Sequence, residues 1–152
     1  MRLEGKVALI SGGARGMGAA EARLFAREGA SVVIGDLLEE ESRRVEAQIG
    51  EAGGHALFLR LDVTSESGWI SAVAAAVSRF GKLDVLVNNA GVGGGGGMVE
   101  DTTVEAWDIG YAAVYLASDE ARWVSGIVLP VDAGLLTLSP VTYDTMSQQT
   151  RY

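Results

Sequence analysis

Cysteine is absent from the 152 residues, which excludes disulfides, zinc–thiolate sites and thiol catalysis. Lysine occurs only at Lys6 and Lys82, histidine only at His55. With a formal net charge of −8, the chain lacks the basic footprint that nucleic acid or an anionic membrane selects. No apolar run is long enough to span a bilayer. Val7-Ala8-Leu9-Ile10 closes at Ser11-Gly12-Gly13, and no small-residue cleavage site follows it as a secretory signal needs. The expectation is a cytoplasmic protein, kept soluble by its acidity, with no nucleic-acid partner, no membrane contact and no metal site.

What is present suits a packed globular domain, with 48% hydrophobic and 21% charged residues. The length is that of one domain, placed at residues 1–136 with a polar tail at 137–152. Val7–Ile10 reads as a strand buried on both faces. From Met17, the spacing of Ala20, Leu24 and Phe25 is helical until Gly29 stops it. Ser31–Asp36 is strand-like. A charged helix follows with Leu38, Val45 and Ile49 on one face, and Leu57–Leu59 is a third strand. Trp69, Ile70, Val73, Val77 and Phe80 form an amphipathic stripe ended by Gly81, and Val85–Val87 is the fourth strand. Gly93–Gly97 is a run of five glycines, either a loop over a ligand or a plain connector. Thr102 with Glu105 makes a capping box, and Val104, Trp107, Tyr111, Val114 and Tyr115 keep one helical phase to about Ser118. Ile127–Val131 reads as a last strand, with Pro130 favouring an edge or an end. Strands alternating with helices imply βαβ units and a parallel sheet.

Two features point to a ligand. Gly12-Gly13-Ala14-Arg15-Gly16-Met17-Gly18 lies between the first strand and the first helix, where glycines let backbone N–H groups approach a pyrophosphate at a helix N-terminus. Asp36 ends the second strand, where a carboxylate can accept hydrogen bonds from ribose hydroxyls and would repel a 2′-phosphate. An ordinary helix N-cap is its other reading. His55 reads as an exposed loop residue.

With Ser11 in front of it, the glycine loop is similar to the nucleotide loop of the short-chain dehydrogenase/reductase family. Asp62-Val63 after the third strand resembles that family's adenine-contacting pair, and Asn88-Asn89-Ala90-Gly91 its NNAG motif. The resemblance runs from residue 1 to about 108 and resumes from Ile109 to about Gly134. It implies an α/β, Rossmann-like, doubly wound parallel sheet of about five strands in the order 3-2-1-4-last, with helices on both faces. It also implies NAD as cofactor, with Gly12, Arg15, Gly16, Met17 and Gly18 on the pyrophosphate and Asp36 on the ribose. Asp62 and Val63 would flank the adenine and Asn89 would lie near the second ribose, in one motif with Ala90 and Gly91.

The family's central segment, with its catalytic serine and Tyr-x-x-x-Lys pair, has no counterpart. Trp107-Asp108 runs directly into Ile109-Gly110, and no lysine stands four residues after a tyrosine. A tyrosine acting as acid or base near neutral pH needs a nearby cation, so no catalytic residue is assigned. The expectation is an NAD(H)-binding, non-catalytic domain. The alternative is an NAD-dependent oxidoreductase interconverting an alcohol and a ketone through Tyr111, Ser125 or Tyr143, or through a segment from another chain. A homodimer through the last helix and last strand is expected, because losing two strands bares an apolar edge.

Overall fold

The computed structural model describes residues 1–91, 104–129 and 131, apart from the side chains of 104–108. The elements follow in the order β1 (Val7–Ser11), α1 (Gly16–Arg27), β2 (Ser31–Asp36), α2 (Glu39–Glu51), β3 (His55–Arg60), α3 (Glu66–Phe80), β4 (Val85–Asn88) and α4 (Val104–Ala117), then a 3-10 turn at Asp119–Ala121. The chain divides into two compact units, Met1–Arg122 and Trp123–Tyr152, and all of these elements belong to the first.

The four strands form a parallel sheet in the order β3-β2-β1-β4. All five residues of β1 are buried, as a central strand covered on both faces requires. Side chains alternate between two apolar clusters. Ala8, Ile10, Val32 and Ile34 pack with Leu24 and Phe25 of α1, Val45 and Ile49 of α2, and Val114 of α4. Leu9 and Val33 face the other way, onto Ala72 and Ala76 of α3. This is the Rossmann-like, doubly wound architecture; among the described residues α1, α2 and α4 lie on one face and α3 on the other.

Several expectations shift. Leu38 precedes α2 as its N-cap and is 40% exposed, while Ser42 takes the buried position beside Val45 and Ile49. His55 opens β3 but is exposed. In α3 only the ends of the amphipathic stripe, Trp69 and Phe80, pack toward the sheet. Ala72 and Ala76 are buried there, while Ile70 is 65%, Val73 38% and Val77 44% exposed. Small residues let the helix approach the strands closely, and the branched residues of the stripe stay partly exposed. The helix ends as expected at Gly81, whose φ of 86° a side chain would disfavour. In α4, Val114 is fully buried while Tyr111 is 48% exposed. Gly110 is there for space, since a Cβ would come within 3.0 Å of Leu24 Cδ2 on α1.

The expected fifth strand is not formed among the described residues. Ile127, Val128, Leu129 and Val131 are exposed and carry no regular secondary structure. A strand exists through hydrogen bonds to a neighbour, and the described sheet stops at β4. Pro130, the Gly93–Gly97 run, Thr102 and the 137–152 tail lie outside the described residues, as do the side chains of Val104, Glu105 and Trp107.

Candidate functional site

The C-terminal ends of β1, β2 and β4 meet at one edge of the sheet, and side chains bind the loops there to one another. Ser11, 1% exposed, is the centre of this network. Its hydroxyl accepts from the backbone N–H groups of Asn89 and Ala90, both at 3.2 Å, and donates to the Val87 carbonyl at 3.3 Å. The Asn89 carboxamide donates to the carbonyls of Ser11 at 3.1 Å and Gly12 at 3.0 Å. Asn89 therefore positions the glycine loop. Ser11 was not singled out from the sequence, because its partners lie 76 to 79 positions away.

Gly12, Gly13 and Gly18 leave no room for a side chain. Gly12 has φ 68°, and a Cβ on it would sit 2.7 Å from the Ala90 Cα. A Cβ on Gly18 would collide with the Gly12 carbonyl oxygen and the Asn89 carboxamide. Gly16 opens α1 with φ 52°. Arg15 is the N-cap of α1 but makes no side-chain cap, and the first turn holds no acidic residue. The other helices differ: α2 carries Glu39, Glu40 and Glu41 in its first turn, and Ser65 caps α3 by accepting from the Gly68 N–H at 3.1 Å. First-turn N–H groups, which have no intrahelical partner, and the positive end of the helix dipole together favour an anion. This cradle fits a dinucleotide pyrophosphate.

Asp36 lies beside the same loop. Its carboxylate accepts from the Ala14 N–H at 3.0 Å and from the Leu38 N–H at 3.0 Å, tying the glycine loop to the turn before α2. Asp36 thus acts as a cap of the turn, which leaves a ribose-binding role compatible with its place. The Arg15 guanidinium is paired with Glu41, whose carboxyl that hydrogen bond holds below its ordinary pKa. This pairing offsets the cation that Arg15 could offer a 2′-phosphate.

Asp62 accepts from the Thr64 hydroxyl at 2.7 Å and the Thr64 N–H at 2.9 Å, which keeps its carboxyl below the usual range and fixes the turn after β3. Val63 and Ala90 line one open hollow of about 330 Å³ together with Ser11, Trp69, Leu86 and Asn88. The structure thus brings Gly12, Gly18, Asn89 and Ala90 together and sets Asp36 against Ala14. Met17 lies in the first turn of α1 and is 42% exposed, and Gly91 is exposed beyond β4. Trp69 was read only as part of a stripe, yet it walls the hollow, with its indole N–H donating to the Val63 carbonyl at 3.1 Å. Among the described residues no cluster of three or more His, Cys, Asp or Glu could hold a metal, and no helix is long and apolar enough to cross a membrane.

Comparison with known proteins agrees with this geometry. The short chain dehydrogenase profile matches residues 6–116. A 2,5-dichloro-2,5-cyclohexadiene-1,4-diol dehydrogenase of Sphingobium indicum is 57% identical over 107 residues, covering 70% of this chain and 42% of that protein. Among solved structures, a hydroxysteroid dehydrogenase from Escherichia coli aligns with a TM-score of 0.60 at 34% identity, over 77% of this chain and 52% of that one. A metagenomic short-chain oxidoreductase in complex with NADP aligns with a TM-score of 0.59 at 32% identity, over 80% and 58%. The chain matches about half the length of these relatives.

Proposed function

The chain belongs to the short-chain dehydrogenase family, and from that premise we propose that it is an NAD(H)-binding domain that does not itself carry out hydride transfer. The observation that carries the binding half is the N-terminus of α1, which has no side-chain cap, beside Gly12 and Gly18, where a Cβ has no space. In this proposal Gly12, Arg15, Gly16, Met17 and Gly18 hold the pyrophosphate and Asp36 the adenosine ribose. Val63 with Asp62 borders the adenine, and Asn89, Ala90 and Gly91 border the second ribose. Asp36 and the pairing of Arg15 with Glu41 support NAD(H) over NADP(H), although one structural neighbour holds NADP. The setting is cytoplasmic and the working form a homodimer.

The nicotinamide, when bound, supplies a hydride donor or acceptor. Turnover also needs a group that moves the alcohol proton and a donor that polarises the carbonyl, and positioned acid–base help is typically worth about 10²–10⁴-fold. No lysine follows a tyrosine by four positions, so the Tyr-x-x-x-Lys pattern that pairs a phenol with a cation is missing from the sequence.

Both halves are tested together by titrating NADH while following tryptophan fluorescence, then adding cyclic alcohols or ketones, the compounds for which the relatives are named, and following NADH absorbance. Saturable quenching with flat absorbance is the expected result. Robust turnover that vanishes in Tyr111→Phe, with NADH affinity kept, would overturn the non-catalytic half and identify the substitute acid.

A further inference from the structure

We propose that nucleotide binding at the glycine cradle is coupled to the protonation of Glu21, the neutral acid favouring the bound state and the carboxylate opposing it. This rests on the nucleotide reading of the cradle and adds a pH-dependent control to it. Glu21 follows Gly18 by three positions on α1, and residues so spaced are neighbours about 5–6 Å apart on one face of a helix. That face is turned inward. At Gly18 it meets the Gly12 carbonyl oxygen and the Asn89 carboxamide. One turn beyond Glu21, Leu24 and Phe25 pack in the apolar cluster with Ile10 and Val114. Glu21 lies between these two contacts, 6% exposed, and its Oε2 has no hydrogen-bond partner. A buried carboxyl without a partner is costly as an anion. Such unsatisfied atoms are few in native proteins, and each calls for a reason.

The elements packed against α1 bring no counter-charge to Glu21 among the described residues. β1 holds no ionisable side chain. Asp36, at the end of β2, is engaged by the N–H groups of Ala14 and Leu38. α2 meets α1 through Glu41, paired with Arg15, and through Gln48, which accepts from the Arg23 guanidinium at 2.9 Å. α4 brings Tyr111 and Tyr115, together with Glu105 and Asp108, whose side chains lie outside the described residues. Burial alone pushes the Glu21 carboxyl up to about 7, so its charge changes close to neutral pH. Loss of that proton sets a negative charge one turn below Gly18, inside the protein, where screening is weak. A pyrophosphate held at the start of α1 would feel it as repulsion. Below about 7 Glu21 is neutral and affinity is at its highest. Above that, the nucleotide must bind beside a charge or restore the proton, so affinity falls as pH rises. Linkage requires the reciprocal effect, uptake of a proton when the nucleotide binds.

The test is calorimetric titration of the full chain with NADH near pH 6 and near pH 8.5, repeated near pH 7.5 in two buffers of different ionisation enthalpy. Affinity should fall about five- to tenfold from the acid to the alkaline condition, as expected for charges roughly 10 Å apart under partial screening. About half a proton should be taken up per nucleotide bound near pH 7.5. Glu21→Gln is neutral at every pH, so it should keep the acid-side affinity throughout and abolish the proton uptake. Affinity of the unaltered chain that is flat across the range would overturn the coupling. So would a pH dependence or a proton uptake that Glu21→Gln leaves intact. Absence of NADH binding near pH 6 would instead overturn the nucleotide reading, and the coupling with it.

Discussion

Gly18→Ala is expected to cost about 2–3 kcal/mol of folding stability and to weaken NADH binding at least about a hundredfold. The added methyl would fall on the Gly12 carbonyl oxygen and crowd the Asn89 carboxamide. Neither can withdraw freely. Gly12 is itself confined by the Ala90 backbone, and the Asn89 amide is committed to the carbonyls of Ser11 and Gly12. The loop would have to move away from α1, separating the N–H groups that form the anion cradle. Gly50→Ala is the control, because a Cβ there meets nothing within 4 Å on α2. It should be neutral or stabilise by up to about 1 kcal/mol. Chemical denaturation with NADH titration measures both variants, and equal behaviour of the two would show that the close approach at Gly18 is not needed.

Glu21→Gln is expected to stabilise the chain at alkaline pH and hardly at all at acid pH. Glu21 lies on α1, is 6% exposed, and its Oε2 has no hydrogen-bond partner. Burial raises its carboxyl from the ordinary 4.5 to about 7. Below the unfolded value the group is protonated in both states and costs nothing. Between about 4.5 and 7 the folded state keeps a proton that the unfolded state releases, so stability from this site falls as pH rises and levels off above about 7. A shift of this size corresponds to about 3 kcal/mol, much of which glutamine would recover without a charge. Urea denaturation near pH 5 and near pH 8 should show a steeper loss in the wild type than in the variant. Parallel losses would mean that Glu21 is solvated or paired in solution.

The sequence made the alternation of strands and helices plain, because buried parallel strands such as Val7–Ile10 are apolar throughout and glycines close them. It left open which side of a helix meets the sheet. In α3 periodicity located the large residues, but Ala72 and Ala76 pack on the strands, since close approach depends on the neighbour as much as on hydrophobicity. The Ile127–Val131 segment has strand composition, yet its described residues form no strand, because composition alone does not supply the hydrogen-bonded neighbour that makes one. The glycine loop and Asp36 were legible as a pattern. The partners that fix them were not: Ser11 with Ala90, Ala14 with Asp36 and Arg15 with Glu41 are joined only by the fold.

The central claim is NAD(H) binding at the glycine loop, with Asp36 selecting against a 2′-phosphate. Calorimetric titration of the unaltered chain with NADH and, separately, NADPH tests it most directly. Saturable binding of NADH about tenfold or more tighter than NADPH is the expected result. Absence of NADH binding, or NADPH binding as tight as NADH, would contradict it and leave Asp36 as a cap for the turn before α2.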